Sequence, residues 1–124
     1  MVNNKEEWER LDSSVQSITV NGCDDYLNEV LDLSRFGELV ELKIGSSCFN
    51  YVSVMSISRL PKLKSVEIGK HSFVRSLHVC DPNRRFYLKN CPKLKELKIS
   101  AYSFSDYSLC VITNCALKVI EMEK

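Results

Sequence analysis

The sequence predicts a mostly β repeat solenoid of about 4.5 coils, with two parallel sheets across one core and a short capping helix at its start. Three observations carry this. A phrase of the form apolar-x-x-apolar-x-apolar returns five times, beginning at positions 15, 39, 63, 94 and 117. The copies are therefore 24, 24, 31 and 23 residues apart, and a period in the twenties marks stacked coils. Between the phrases a second set of short, β-branched or aromatic runs recurs.

Residues 1–14 differ from the rest. Trp8, Leu11 and Val15 recur at spacings of three and four, with Glu6, Glu7, Glu9 and Arg10 between them. That spacing predicts a short amphipathic helix, with Asn3 or Asn4 as its N-cap. A stack of coils has a bare apolar end, so Trp8 is expected to cover it.

Residues 15–124 form the repeat. The phrases are Val15-Gln16-Ser17-Ile18-Thr19-Val20, Leu39-Val40-Glu41-Leu42-Lys43-Ile44, Leu63-Lys64-Ser65-Val66-Glu67-Ile68, Leu94-Lys95-Glu96-Leu97-Lys98-Ile99 and Leu117-Lys118-Val119-Ile120-Glu121-Met122. Each is expected to be a strand that buries its apolar positions. A bend follows, as in Ile44-Gly45-Ser46-Ser47-Cys48-Phe49 and Ile68-Gly69-Lys70-His71-Ser72-Phe73. Glycine permits the turn, and Phe49, Phe73 and Phe104 are expected to return inward and stack. The first copy departs, with Asp25 at the Phe position and Tyr26 nearest to it. The second runs, at 30–33, 54–57, 86–88 and 109–112, read as strands. Pro61 and Pro92 mark the turns into the next phrase. The phrase at 117 has no bend after it, which predicts an uncovered end and a tendency to form a homodimer through the terminal repeat.

Composition narrows the function. Seventeen basic and sixteen acidic residues leave a net charge of +1, so no strong overall field favours nucleic acid or an anionic membrane. The N-terminal stretch is polar and has no apolar signal core, from which a cytoplasmic, intracellular location is expected. The six cysteines form no CxxC pair. Cys91 and Cys115 stand where Leu60 and Phe36 stand, and Cys48 where Ser72 and Ser103 stand. Alternation with apolar or small residues predicts reduced, buried thiols rather than a disulfide or metal framework. His71 and His78 are the two histidines, and neither the GxSxG nor the HExxH spacing occurs. No enzyme, no cofactor and no metal are expected.

The phrase and the I-G-x-x-[S/C]-F bend together resemble the leucine-rich-repeat family, and within it the BspA-like branch. The resemblance covers residues 15–124. The family's Asn/Cys position holds Cys23, Ser47, His71 and Tyr102, so an asparagine ladder is not carried over. The resemblance implies a non-enzymatic module that binds another protein; the alternative it raises is a fragment of an exported BspA-like surface adhesin.

Candidate contact residues lie on the open face of the first sheet. One column holds Thr19, Lys43, Glu67, Lys98 and Glu121, with alternating charges. It is expected to be a largely self-neutralising ladder, worth about 0–1 kcal/mol per exposed pair, or a mixed-charge binding surface. Glu41, Ser65, Glu96 and Val119 flank it. Lys62, Lys64, Lys93, Lys95 and Lys118 recur with the period and read as solvated turn residues rather than a phosphate-binding stripe. The long third repeat places seven extra residues in 77–85. They read as a surface loop with a Pro-Asn turn, whose partner contacts would be Arg84 and Arg85. His78, Cys80 and Asp81 lack the second ligand pair that a metal site needs.

Overall fold

The computed structural model describes residues 2–21, 29–74, 81–101, 103–104 and 107–122, with backbone alone at 81–82 and 119–122. The described residues form one helix, α1 (Lys5–Glu9), and nine strands. These are β1 (Ser17–Val20), β2 (Val30–Asp32), β3 (Glu41–Ile44), β4 (Val54–Ser58), β5 (Ser65–Ile68), β6 (Asp81–Lys89), β7 (Glu96–Ile99), β8 (Tyr107–Thr113) and β9 (Val119–Met122).

The fold is mostly β, in two parallel sheets. One has the order β1-β3-β5-β7-β9 and the other β2-β4-β6-β8. Ser17 pairs with Glu41, Glu41 with Ser65, Ser65 with Glu96 and Glu96 with Val119. Each register offset therefore equals the spacing of the corresponding phrases. The physical reason is the period of two along a strand: a slip by one residue would turn every apolar side chain out to solvent. Ile18, Leu42, Val66 and Leu97 line one inward column, and Val20, Ile44, Ile68 and Ile99 the next, all buried. The second sheet faces them with Leu31, Met55 and Phe86, and with Leu33, Ile57 and Leu88.

The aromatic spine forms as the repeat predicts. The Phe49 and Phe73 rings stack at 5.5 Å and those of Phe73 and Phe104 at 4.6 Å. All three residues have positive φ, between 56° and 58°. That conformation costs an ordinary side chain about 1–2 kcal/mol. It swings each ring back into the core, and the backbone is held by Phe73 N–H to Cys48 O at 3.0 Å and Phe104 N–H to Ser72 O at 3.2 Å.

The first end is closed by two devices. Trp8 is buried and meets the rings of Phe36 and Phe49 edge-on at 5.8 and 5.3 Å. Val2 adds a parallel bridge to Val20, donating to Thr19 O at 2.8 Å and accepting from Asn21 N at 2.6 Å. The helix is shorter than the 1–14 expected. Asn4 Oδ1 caps it by accepting from Glu7 N at 2.9 Å. Asp12 then starts a tight turn by accepting from the backbone N–H and the hydroxyl of Ser14, both at 2.8 Å. Those bonds also hold the Asp12 carboxyl below its ordinary pKa.

The long repeat also differs from expectation. Asp81-Pro82-Asn83 do not make a turn; they begin β6, which overhangs β4 and pairs with β8. A register shift between Asp81 and Arg85 absorbs extra residues as a bulge, the position in a sheet where proline is tolerated. Residues 75–80, with His78 and Cys80, lie outside the described residues, as do Cys23, Asp25, Tyr26 and Tyr102.

Candidate interaction surface

The outward residues of β1, β3, β5 and β7 build one open, polar face. Thr19, Lys43, Glu67, Lys98 and Glu121 stand in register across five strands, and Ser17, Glu41, Ser65, Glu96 and Val119 form the adjacent row. The strands place these residues about 4.8 Å apart. The side chain of Glu121 lies outside the described structure.

The charges do not pair along the column as expected. Lys43 Nζ meets Glu41 Oε1 at 3.1 Å, within its own strand. Residues two apart on a strand share a face, so the lateral partner competes with the cross-strand one. Glu41, by hydrogen bond and then by charge, holds the Lys43 ammonium above its ordinary pKa, with Glu67 a smaller contributor. Among the described residues Glu67, Glu96 and Lys98 make no ion pair. The column is thus less self-neutralised than its alternating signs imply.

Two shallow grooves meet on this face. One, of ≈ 320 Å³, runs past Thr19, Asn21, Lys43 and Glu67 to the bend glycines. The other, of ≈ 220 Å³, lies among Glu41, Ser65, Glu67, Glu96 and Lys98. Lys43 and Glu67 line both. The floor of the larger groove is backbone. A Cβ on Gly69 would stand 2.6 Å from the Gly45 carbonyl carbon, and one on Gly45 2.9 Å from Val20 O. The bends at Gly45 and Gly69 therefore stack closer than a side chain there allows.

A hydroxyl ladder ties the same bends together. Ser72 Oγ accepts from Cys48 N–H at 3.1 Å and donates to Gly45 O at 2.8 Å. One copy on, Ser103 Oγ accepts from Ser72 N–H at 3.1 Å and donates to Gly69 O at 2.6 Å. Cys48, Ser72 and Ser103 share a repeat position, and the serines there bridge coils rather than merely fill space.

A line of lysines borders the face. Lys64, Lys95 and Lys118 are stacked by their own backbone, through Lys64 N–H to Val40 O, Lys95 N–H to Lys64 O and Lys118 N–H to Lys95 O, at 2.7, 3.0 and 2.8 Å. All three are exposed and, among the described residues, none makes an ion pair. Lys62, by contrast, is bonded to Glu38. Like charges opposite one another are unfavourable. The order along the chain is thus banded: three exposed lysines just before the strands, then a row carrying Glu41 and Glu96, then the mixed row of Lys43, Glu67 and Lys98.

Arg84 and Arg85 do not belong to this surface. Arg84 is 1% exposed. It donates to Asn50 O at 3.0 Å and Val52 O at 2.9 Å, and its guanidinium lies 4.8 Å from the centre of the Tyr107 ring. It fixes the 50–52 bend from inside rather than meeting a partner. The cause is alternation: Arg85, its neighbour on β6, points outward, so Arg84 points in. Arg85 stands on the other sheet, in a register row with Val30, Val54 and Leu109, of which Val30 and Leu109 are exposed.

Of the eight contact candidates, Glu41, Lys43, Glu67, Glu96 and Lys98 converge on one face. The lysine line beside them was visible as a repeat column, but only the strand pairing shows that its members are stacked neighbours. Among the described residues no three His, Cys, Asp or Glu side chains gather as a metal site. Among the described residues Cys48, Cys91, Cys110 and Cys115 form no disulfide with one another. No helix among the described residues is long and apolar enough to cross a membrane. Comparison with protein-family models, with curated proteins and with solved structures finds no match for the chain.

Proposed function

We propose that this chain is a leucine-rich-repeat solenoid of the BspA-like kind, without enzymatic activity, that binds another protein through the open face of the five-stranded sheet. The observation that carries the reading is the banding. Among the described residues Glu67, Glu96, Lys98 and the three stacked lysines make no ion pair, on a strand scaffold beside two grooves that meet at Lys43 and Glu67. A uniform polyanion would meet the lysine line but would be repelled by Glu41 and Glu96 in the next row. A protein surface can present both signs at the spacing required, and complementary charge fixes partner and orientation.

The test uses affinity capture with the full chain and with a variant carrying Lys43→Glu, Glu67→Lys and Lys98→Glu. These side chains are exposed or at the surface, so the thermal unfolding midpoint is expected to stay close to that of the parent. The expected outcome is a loss of at least tenfold in affinity for the captured partner, since reversed charges at a docking face act together. A partner retained at full affinity by a folded triple variant overturns the reading.

A further inference from the structure

We propose that Cys91 and Cys115 are a thiol-oxidation site: in the native chain they close to an intramolecular disulfide by exchange with a low-molecular-weight disulfide such as glutathione disulfide. The two residues occupy one repeat position, the one held by Phe36 and Leu60 in the preceding copies. Phe36 and Leu60 are buried there, Cys91 is buried, and Cys115 is half-buried.

The backbone brings them side by side. Lys89 pairs with Thr113 at the end of the β6–β8 ladder. The register continues beyond it, with Asn90 N–H donating to Thr113 O at 3.0 Å and Asn114 Nδ2 donating to Asn90 Oδ1 at 2.9 Å. Asn90 and Asn114 share a left-handed φ, 55° and 53°, so the two chains turn alike and carry the next residues, Cys91 and Cys115, inward together. Parallel neighbours stand about 4.8 Å apart, within the range of roughly 4.4–6.8 Å that Cα atoms of a disulfide span.

The sulfurs hold equivalent positions one copy apart, each beside a carbonyl that faces the preceding copy: Lys89 O accepts from Arg59 N–H, and Thr113 O from Asn90 N–H. Cys91 Sγ lies 3.4 Å from Lys89 O. Cys115 Sγ lies 3.3 Å from Thr113 O on its own strand and reaches across to Leu88 O at 3.9 Å. The other described thiols are placed elsewhere: Cys48 sits in the bend column, and Cys110 pairs in register with Phe86.

The exchange balances in two steps. The Cys115 thiolate, reachable from solvent, attacks one sulfur of glutathione disulfide; an S–S bond forms on Cys115 and the first glutathione thiolate leaves. The Cys91 thiolate then attacks Cys115 Sγ, forming the internal bond and releasing the second glutathione thiolate. The protons of both cysteines end on the two glutathione thiols. Burial pushes the Cys91 thiol above its ordinary pKa, so the thiolate that the second step needs becomes more abundant, and that step quickens, as pH rises. The bond would tie the segment leading into β9 to the segment leading into β7.

The experiment incubates the folded full chain with glutathione disulfide, traps free thiols, and maps the products by mass spectrometry. The expected product has lost two hydrogens, joins the Cys91 and Cys115 peptides, forms faster at alkaline pH and is reversed by dithiothreitol. Cys91→Ser should stop at a glutathione adduct on Cys115. Overturning results are a native chain that stops at the mixed disulfide, a bond between any other pair, or no reaction under conditions where the unfolded chain reacts. The open-face reading makes no use of these thiols, so either can fail without the other.

Discussion

Ser72 shows how one residue type at one repeat position does work that composition hides. Its hydroxyl joins the backbone of two successive bends, accepting from Cys48 N–H and donating to Gly45 O, and it is fully buried. Ser72→Ala would remove both bonds and leave a buried donor and acceptor unmet, at a cost of about 1–3 kcal/mol. Urea unfolding should register this as a lower midpoint with an unchanged slope. Ser72→Cys should cost less, because Cys48 already fits the equivalent position in the previous copy. The small size of the residue at this position was legible from its alternation of Cys and Ser; its bridging role was not, because that depends on which carbonyl the bend turns toward it. Arg84 illustrates the same limit. Next to Arg85 in a polar run it reads as surface, and only the inward half of the strand alternation makes it a core residue.

At the scale of the element, the bends carry more of the stability than the strands suggest. Each phenylalanine accepts a left-handed backbone, an unfavourable geometry repeated because the ring it delivers stacks on its neighbours. Phe73 is the centre of that stack and is fully buried. Phe73→Ala is expected to destabilise by about 3–5 kcal/mol, combining lost burial with a cavity between two rings. Phe73→Gly would relieve the backbone while still removing the ring. If it proves as stable as the parent in urea, the spine is not what holds the bends. Both classes of strand were legible from the repeat, since parallel stacking demands equal spacing of the inward apolar residues. The start of β6 was not. Asp-Pro-Asn has turn chemistry, but the neighbouring edge of β8 offers it pairing, and the bulge accommodates the proline. Val2 was equally hidden, since a single bridging residue has no periodicity to detect.

The molecule as a whole divides its labour between two sheets. The four-stranded sheet closes the core, and its outer face carries the row of Val30, Val54, Arg85 and Leu109. The five-stranded sheet carries charge in bands. The columns were legible in the sequence as repeat positions, but their pairing was not, because the lateral Lys43–Glu41 contact competes with the cross-strand ladder that alternating signs imply. That outcome leaves charges available on the face, which is the basis of the proposed role. The most direct test is lysine footprinting: the full chain is acetylated alone and in complex with its captured protein partner, and the modified lysines are read by mass spectrometry. The account predicts protection of Lys43, Lys64, Lys95 and Lys98, with Lys89 on the opposite sheet modified equally in both states. Protection confined to Lys89, with those four lysines unchanged, would contradict it.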